Sequence, residues 1–281
     1  MDKDRIVMIL AFSILLNLFL FFSLIWKSTS NIDDELNFQL DVKQGKIIYN
    51  NTRLIDYIRK EFLIPPSDIH ENRSISKITH YSQIGQDKFL DKLLNERRNG
   101  FFIEVGAYDG EYLSNTLFFE RERNWTGLLI EANPTLFKKL KSRDRNAYVS
   151  HSCISLIPYA IEVNFTFADY YGGVIAPTDK SVITGNGSVQ CIPFMTYLMA
   201  LNIYHVDYFS LDIEGGELDV LKQIDFKKFQ IDVLTIEYAT NNYQKTSQKL
   251  KDITELLVGT GLYRLVTTMG GLDAIFMRNP L

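Results

Sequence analysis

The stretch that decides the fold is FFIEVGAYDG, Phe101 to Gly110, an apolar run that ends in one acid and two glycines. Its first five residues predict a strand buried on both faces, with Glu104 at the carboxyl end and Gly106 and Gly110 in the following turn. In open α/β sheets, ligands lie beyond the carboxyl ends of the strands, where glycine lets the backbone approach them closely. We therefore expect this turn to line a small-molecule site.

The spacing of the acid and the glycines distinguishes between two kinds of nucleotide site. The G-x-G-x-x-G pattern of dinucleotide sites is not present here, because position 108 is Tyr and position 111 is Glu. The observed order resembles the first motif of S-adenosylmethionine (SAM) methyltransferases. The alternative is a strand followed by a glycine turn that binds no ligand.

A second strand is predicted over residues 126–130, with Glu131 at its carboxyl end. In nucleotide-binding α/β folds a carboxylate at this position accepts hydrogen bonds from both ribose hydroxyls, and a carboxylate has only acceptors to offer. Glu131 is therefore predicted to bind the cofactor. The alternative is a solvated acid at the end of a strand.

The rest of the chain repeats strand and helix. A Gly270–Gly271 turn joins the last two predicted strands as a hairpin, which makes the final strand antiparallel. The sum is a seven-stranded, mostly parallel, doubly wound Rossmann-like α/β sheet. The further strands are predicted at residues 147–154, 206–213, 231–236, 263–267 and 272–277, with a short extra strand at 163–167.

Acids also follow the predicted fourth and fifth main strands. Asp212 and Glu214 lie one residue apart, so on an extended segment they project to opposite faces. We expect one of them to face the cofactor or act as a general base, and the other to cap the helix that begins at Glu217. Asp212, Glu237 and Tyr238 are the candidate bases. The histidines are scattered, and no metal ligand is assigned.

The N-terminal part predicts a membrane protein. Residues 6–26 contain no charge, and this length of helix spans about 31 Å, which matches a bilayer core. A cleaved signal peptide is the alternative, although this apolar run is longer than such a segment usually has. Residues 1–5 would be a cytosolic tail, because Lys3 and Arg5 precede the span and acids follow it. Residues 27–52 are polar without sustained periodicity, as is typical of a stem.

The body of the protein follows the stem. Apolar residues recur at helical spacing from residue 54 until Pro65, which predicts a helical extension over residues 53–78. The main domain is predicted at residues 79–281. Its first helix, residues 81–94, has Ser82 as a possible N-cap.

Two further patterns bear on the compartment. Cys153 and Cys191 are compatible with one luminal disulfide, worth about 3 to 5 kcal/mol by the chain-entropy model, and two separate buried thiols are the alternative. N-x-S/T glycosylation sequons begin at Asn50, Asn72, Asn124, Asn164 and Asn186.

Net charge is −4 and no long basic run occurs, so nothing indicates a nucleic-acid partner. The basic cluster at residues 138–145 is interpreted as the solvated face and end of one helix.

Several motifs together resemble the FkbM-type methyltransferase domain. They are FIEVGAYDG, GLLIEANP, DYFSLDIEGGELDVLKQIDF and VLTIEY, and the resemblance covers roughly residues 79–277. Within that family, RLIDYIRKEFLIPPS, SQIGQDKFLDKLL and FFERERNWTGLLIEANP resemble the Star group of animal proteins, which have a single membrane span and a luminal FkbM-like domain. The chain departs from many FkbM relatives at Ser210, where they carry Lys.

The resemblance implies a class I SAM methyltransferase fold and a set of cofactor contacts. It implies that Glu104, Gly106, Ala107 and Gly110 line the methionine side of SAM, that Glu131 binds the ribose, and that Asp212 lies near the reacting end.

The resemblance also implies two functions of different kinds. FkbM-type enzymes are similar to O-methyltransferases that act on hydroxyls of small molecules or sugars. Star proteins are regarded as trafficking factors that help membrane-tethered growth-factor precursors leave the endoplasmic reticulum. The first hypothesis is thus a membrane-anchored, SAM-dependent O-methyltransferase, and the second is a luminal binding module for such cargo in the endoplasmic reticulum, Golgi or endosomes, with the plasma membrane as a further location.

Overall fold

The computed structural model describes residues 17, 19–21, 27, 29–67, 80–166, 173–174 and 186–280. In chain order the strands are β1 Gln44–Ile48, β2 Phe101–Val105, β3 Thr126–Glu131, β4 Ala147–His151, β5 Cys153–Ile154, β6 Tyr159–Thr166, β7 Gly173–Val174, β8 Asn186–Ile192, β9 His205–Leu211, β10 Gln230–Glu237, β11 Tyr263–Met269 and β12 Asp273–Arg278. The helices are α1 (29–43), α2 Thr52–Glu61, α3 Gln86–Leu93, α4 Leu117–Arg123, α5 Pro134–Lys141, α6 Phe194–Leu201, α7 Glu217–Gln223 and α8 Tyr243–Gly259.

The main sheet has seven strands in the order β11-β12-β10-β9-β2-β3-β4. Five strands run parallel to one another, namely β10, β9, β2, β3 and β4. Strand β12 lies between β10 and β11 and is antiparallel to both. This confirms the predicted Rossmann-like α/β sheet with its closing hairpin. The chain builds outward from β2 through β3 to β4 and then returns to the other side of β2 with β9. Such a reversal opens a crevice at the carboxyl ends of β2 and β9.

Both faces of β2 are buried, as the FFIEV pattern predicts. Ile103 belongs to the larger apolar core on one face, and Phe102 belongs to a second core on the other, and neither side chain is exposed at all. Successive side chains of a strand point to opposite faces, so an apolar run without alternation fits a strand with helices on both sides.

A second sheet, in the order β1-β6-β8-β5 with β7 paired to β6, packs beside the first. The prediction of one strand over residues 147–154 is wrong, because β4 belongs to the main sheet and β5 to the second. The two strands are separated at Ser152. The hydroxyls of Ser150 and Ser152 both form hydrogen bonds with the hydroxyl of the buried Tyr197. The structure joins Cys153 of β5 to Cys191 of β8 as a disulfide, and the two residues are direct partners in the parallel pairing.

The stem predicted for residues 27–52 is instead part of the folded body. Phe38 and Val42 of α1 are buried in the main core, and the Phe38 ring packs edge-on against Tyr57 of α2, with ring centroids 5.7 Å apart. Strand β1 then pairs with β6. The polar residues of α1 outnumber its few inward-facing apolar ones, which is why sequence periodicity did not show it.

The predicted membrane anchor falls mostly outside the described residues. Within the part of the chain that the structure describes, no helix combines the length and apolar character needed to cross a bilayer. The anchor at residues 6–26 and the cytosolic tail at 1–5 therefore stay predictions.

The predicted N-terminal helices are present with one corrected boundary. Helix α2 covers the first part of the extension predicted at 53–78 and begins one residue earlier, whereas residues 68–78 of that extension lie outside the described residues. The Asn51 side chain caps α2 by accepting a hydrogen bond from the Leu54 amide. Helix α3 begins at Gln86, so the predicted start at residue 81 is wrong. Ser82 is not at the N-cap position, which is Gly85, but its hydroxyl accepts a hydrogen bond from the Asp87 amide in the first turn of α3 at 3.2 Å and donates to Asp87 Oδ1 at 2.6 Å.

Three of the five sequon asparagines are exposed in the structure, namely Asn50, Asn124 and Asn164. Asn72 and the side chain of Asn186 lie outside the described residues. Exposure is compatible with glycosylation, which stays a prediction.

Candidate functional site

A cavity of about 1070 Å³ lies at the carboxyl ends of β2, β3, β9 and β10. This is the crevice that the strand order creates. Most of the predicted site residues line it together, namely Glu104, Gly106, Ala107, Glu131, Asp212 and Glu237. The sheet therefore brings together residues that are more than a hundred positions apart in the chain.

Gly106 lets the turns after β2 and β9 touch. Its φ of +83° is in the left-handed region, and a Cβ built on it would lie 2.0 Å from the Asp212 carbonyl oxygen. The amides of Gly106 and Ala107 both donate to the Ile130 carbonyl, at 3.0 and 3.1 Å. Any side chain at Gly106 would push the Asp212 turn away from the floor of the cavity.

Two predicted site residues are not part of the cavity wall. Gly110 has a φ of +81°, and a Cβ on it would lie 2.5 Å from Leu140 Cδ1 of α5, so Gly110 serves helix packing. Tyr238 is buried in the main core, because it follows Glu237 in an extended segment and points to the opposite face. Tyr238 is therefore not placed to act as a base in this cavity.

Glu131 lies at the tip of β3, as predicted, and is buried. Its Oε2 accepts a hydrogen bond from the Tyr108 amide at 2.8 Å, and its Oε1 accepts one from the Asn133 amide at 2.7 Å. Burial raises the pKa of Glu131 to about 7, and these backbone hydrogen bonds oppose that rise. A carboxylate has about four acceptor positions, so Glu131 keeps positions for further donors in the cavity.

Glu104 is fully engaged by the loop that precedes α4. It accepts hydrogen bonds from the Ser114 hydroxyl at 2.9 Å, the Asn115 amide at 2.8 Å and the Thr116 hydroxyl at 2.5 Å. Burial raises the pKa of Glu104, while the Arg145 charge and these hydrogen bonds oppose that rise. Glu104 therefore fixes the loop 111–116 as a wall of the cavity, a role that its place in the motif did not predict.

Arg145 supports the same loop from below, contrary to its interpretation as part of a solvated basic face. Its side chain is buried and forms an ion pair with the buried Glu120, with Nε 2.6 Å from Oε2. It also donates to the Gly110 carbonyl and, at 3.1 Å, to the Thr116 hydroxyl. The only sequence signal is that Arg145 follows the helical run of basic residues and stands just before a strand.

Three carboxylates converge at the cavity floor. The oxygens of Asp212, Glu214 and Glu237 lie within 4.8 Å of one another. The expectation that Asp212 and Glu214 face opposite ways is wrong, because Glu214 has a φ of +58° and is not extended. That spacing would also suit a divalent cation held by oxygen ligands.

The pKa values of this group are perturbed in one direction. Burial raises the pKa of Asp212, and a hydrogen bond with Glu237 opposes that rise. Burial raises the pKa of Glu237 as well, and the neighbouring charges of Asp212 and Glu214 add to the effect. Because the charges of the Asp212 and Glu237 carboxyls interact, the two groups titrate as a pair. Solvent still reaches Asp212 through the cavity.

The expected cap of α7 by one of Asp212 and Glu214 is not formed, because the N-cap residue is Gly216 and no side-chain cap is present. Glu217, the first residue of α7, instead fixes the turn that precedes the helix. Its Oε1 accepts hydrogen bonds from the Ile213 and Gly215 amides, at 3.3 and 3.0 Å. Its Oε2 lies 2.7 Å from Lys249 Nζ. Lys249 is thus already paired, and the described lining of the cavity contains no other Lys or Arg. The arrangement suits a ligand that carries positive charge and several hydrogen-bond donors.

Comparison with known proteins identifies the domain. The family model described as "Methyltransferase FkbM domain" matches residues 104–264, which is more than half of the chain. No curated protein matches the chain. The narrower resemblance to the Star group is not tested by these comparisons and stays a prediction.

Solved structures of methyltransferases are similar to this chain at low identity. A methyltransferase FkbM from Methylobacillus flagellatus is 16% identical with a TM-score of 0.48, and the match covers 70% of this chain and 48% of that one. The chain thus spans about half the length of that protein. A TehB-like SAM-dependent methyltransferase from Corynebacterium glutamicum is 11% identical with a TM-score of 0.36, covering 70% and 88%. Aeropyrum pernix fibrillarin, solved with natively bound SAM, is 12% identical with a TM-score of 0.38, covering 68% and 74%.

Proposed function

The chain belongs to the FkbM methyltransferase family, and from that premise we propose that it binds SAM and transfers the methyl group to a hydroxyl of a small molecule or sugar. The observation that carries the proposal is the acid-lined cavity at the carboxyl ends of β2, β3, β9 and β10. SAM carries a sulfonium and an ammonium, and the acids of this cavity suit both charges.

The residues of the cavity fit the parts of such a ligand. Glu131, at the end of the strand next to β2, keeps acceptor positions for the two ribose hydroxyls. Gly106 keeps the turn free of side-chain atoms. Asp212 and Glu237 lie on the far side of that turn. SAM would supply an electrophilic methyl group.

The chain's own residues would supply a base and alignment. A hydroxyl that attacks a methyl group must lose its proton, and the Asp212–Glu237 pair can accept that proton when at least one of its carboxylates is ionised. A raised pKa makes this pair a stronger base than a free carboxylate. Positioning of the hydroxyl by the cavity walls supplies much of the remaining rate.

Calorimetry of the full chain with SAM tests the proposal. We expect the unmutated protein to bind SAM, and Glu131→Ala to bind it roughly 10- to 100-fold more weakly, because hydrogen bonds to a charged acceptor are lost. Glu122→Ala, which removes an exposed acid at the end of α4, is the matched control and should bind normally. Absence of SAM binding by the unmutated protein would contradict the proposal.

Methyl transfer itself needs a second assay. Radiolabelled SAM and a panel of sugars and small polyols are incubated with the full chain, and label in the acceptor is counted. Asp212→Asn should lower the rate by roughly 10²- to 10⁴-fold if the Asp212–Glu237 pair acts as the general base. An equal rate in this variant would remove Asp212 from catalysis.

We propose further that the protein is anchored by residues 6–26 with its body in the lumen of the secretory pathway. The charge-free segment, the Cys153–Cys191 disulfide and the exposed Asn50, Asn124 and Asn164 sequons support this topology. Endoglycosidase should shift the electrophoretic mobility of the full chain expressed in animal cells, and Asn164→Gln should reduce that shift. An unglycosylated, protease-sensitive body would contradict the topology.

A luminal body also supports the second function, a non-enzymatic role in trafficking of membrane-tethered growth-factor precursors, because SAM is made in the cytosol. The two functions separate in one comparison. If the protein carries cargo without catalysis, Asp212→Asn should leave the surface delivery of a growth-factor precursor unchanged in cells. If delivery depends on methyl transfer, the same variant should reduce it.

A further inference from the structure

We propose that Asn115 is a ligand-binding residue, and that its side-chain oxygen accepts a hydrogen bond from the ammonium group of the cofactor's amino-acid part. The inference rests on the proposed function, since it names the part of SAM that this wall of the cavity would hold. Asn115 stands outside the glycine turn, and the sequence motifs did not assign it to the site.

Two of the polar groups of Asn115 are already in use, and one is not. Its backbone amide donates to Glu104 Oε1 at 2.8 Å, and its side-chain Nδ2 donates to the Ser210 hydroxyl at 3.0 Å. The side-chain oxygen, Oδ1, is buried and has no hydrogen-bond partner among the described residues. Asn115 also lines the cavity. A buried acceptor without a donor is costly, so a native structure that keeps one calls for an explanation.

The loop around Asn115 is fixed, so this acceptor is held in place before a ligand arrives. Glu104 holds the backbone of the loop through Ser114 and Thr116, and Arg145 holds Thr116 from the other side. The Ser210 contact then fixes the orientation of the Asn115 amide. A preorganised acceptor of this kind loses little conformational freedom on binding, which favours affinity.

The surroundings of Asn115 favour a cationic donor. Its neighbours on the cavity wall include Glu104 and Asp212, which create a negative potential, whereas Lys249 is already paired with Glu217. An ammonium has three donors and no acceptor, so it suits a neutral carbonyl oxygen in a negative field. The carboxylate of the same amino-acid part has no hydrogen-bond donor to offer Asn115 Oδ1, so the ammonium is the group that would face this oxygen.

The position of Asn115 also fits a ligand whose ribose is bound at Glu131. Glu131 ends β3, and Ser210, which holds Asn115, lies on β9, so the two sites flank β2 on opposite sides. Neighbouring strands are about 4.8 Å apart, so the two sites are separated by roughly 10 Å across β2. A ligand that lies across the Gly106 turn with its ribose at Glu131 would extend its amino-acid part toward Asn115.

The test compares two ligands that differ in the amino-acid part. S-adenosylhomocysteine contains it, and 5′-methylthioadenosine lacks it. Both are titrated by calorimetry into the full chain and into Asn115→Ala. We expect Asn115→Ala to weaken the binding of S-adenosylhomocysteine roughly 10- to 100-fold and to change that of 5′-methylthioadenosine by less than about twofold. Asn50→Ala, at an exposed residue after β1 and outside the cavity lining, is the matched control and should bind both ligands normally.

The outcomes separate this inference from the proposed function. Unchanged binding of S-adenosylhomocysteine by Asn115→Ala, or equal weakening of both ligands, would overturn the role of Asn115 and leave SAM binding intact. Absence of binding by the unmutated chain would overturn both. Retained binding of 5′-methylthioadenosine shows that the variant is folded, and Asn115→Ser replaces Asn115→Ala in both titrations if the latter does not fold.

Discussion

Strands β9 and β10 each have an acid near both ends, and the acids at the two ends differ in their ion-pair partners. At the amino ends, Arg97 Nη1 lies 2.5 Å from Asp207 Oδ1 and 2.7 Å from Asp232 Oδ2. At the carboxyl ends, Asp212 and Glu237 face each other, and no Lys or Arg of the described chain forms an ion pair with either. The same two strands thus present one acid pair that is bridged by a cation and one that is left without a cation.

The pKa directions follow this difference. Burial by itself would raise the pKa of Asp232, but hydrogen bonds from Gln230 and Arg97 lower it below its ordinary value. Burial raises the pKa values of Asp212 and Glu237, and their mutual repulsion keeps the Glu237 value high. The amino-terminal pair therefore stabilises the fold, whereas the carboxyl-terminal pair costs stability and is available for a ligand and for proton transfer.

The largest effect is expected at the support beneath the cavity. Arg145→Met leaves Glu120 buried without its partner and removes donors from Gly110 and Thr116. Breaking a buried ion pair costs about 3 to 5 kcal/mol, so the free energy of unfolding in urea should fall by that amount. Lys139→Met, on the exposed face of α5, is the control. A loss below about 1 kcal/mol would show that the loop does not depend on Arg145.

The second prediction concerns the pH dependence of stability, which has opposite signs for Glu131 at the carboxyl end of β3 and for Asp232 near the amino end of β10. Glu131 has a folded pKa of about 7, above its ordinary 4.5, so its contribution to stability is fully present below pH 4.5 and is lost as the pH rises to about 7. This loss is about 3 kcal/mol, from roughly 1.4 kcal/mol per pKa unit. Asp232 has a lowered pKa, so its contribution is present above its ordinary pKa of 3.8 and is lost as the pH falls below that value.

Urea denaturation between pH 4.5 and 8 measures the first of these effects. The unmutated chain should become less stable from pH 4.5 to 7, and Glu131→Gln should show a flatter profile whatever its absolute stability. Profiles of equal slope would mean that folding does not raise the pKa of Glu131.

The third prediction tests the acid pair that Arg97 bridges at the amino ends of β9 and β10. Asp207→Asn weakens the contact with Arg97 and the hydrogen bond that Asp207 Oδ2 accepts from the Phe101 amide at 2.8 Å. Arg97 is partly exposed, so solvent offsets part of the loss, and we expect about 2 kcal/mol of destabilisation at pH 7. Chemical denaturation gives the value. SAM affinity should stay unchanged, because the cavity is at the other end of the strand.

The smallest effect has the opposite sign. Asp212→Asn is the same substitution at the other end of β9, and it removes a carboxylate that repels Glu237 and Glu214. Solvent reaches Asp212, so the gain in the free energy of unfolding should be only about 1 kcal/mol at pH 8. A destabilised Asp212→Asn variant would remove the contrast between the two ends, and Asp207→Asn serves as the paired reference.

The main sheet and several site residues were predictable because they depend on local patterns. The apolar FFIEV run predicted β2, and the carboxyl ends of parallel strands meet at one edge, so Glu131, Asp212 and Glu237 were predicted to converge. Tyr238 was assigned to the same edge, but the alternation of side chains along β10 directs it into the core. Residues such as Arg145 and Asn115 could not be found this way, because their roles depend on contacts between distant elements.

The sequence by itself determined the order of the main-sheet strands along the chain, the glycine turn after β2 and the presence of acids at the strand ends, since hydrophobic periodicity and glycine conformation act over a few residues. Tertiary structure alone decided which acids are paired. Arg97 and Arg145 reach carboxylates far along the chain, and the αL conformation of Glu214 directs it toward Asp212. Charge pairing depends on distance in space, so only the folded chain separates the acids that hold the sheet together from those left open in the cavity.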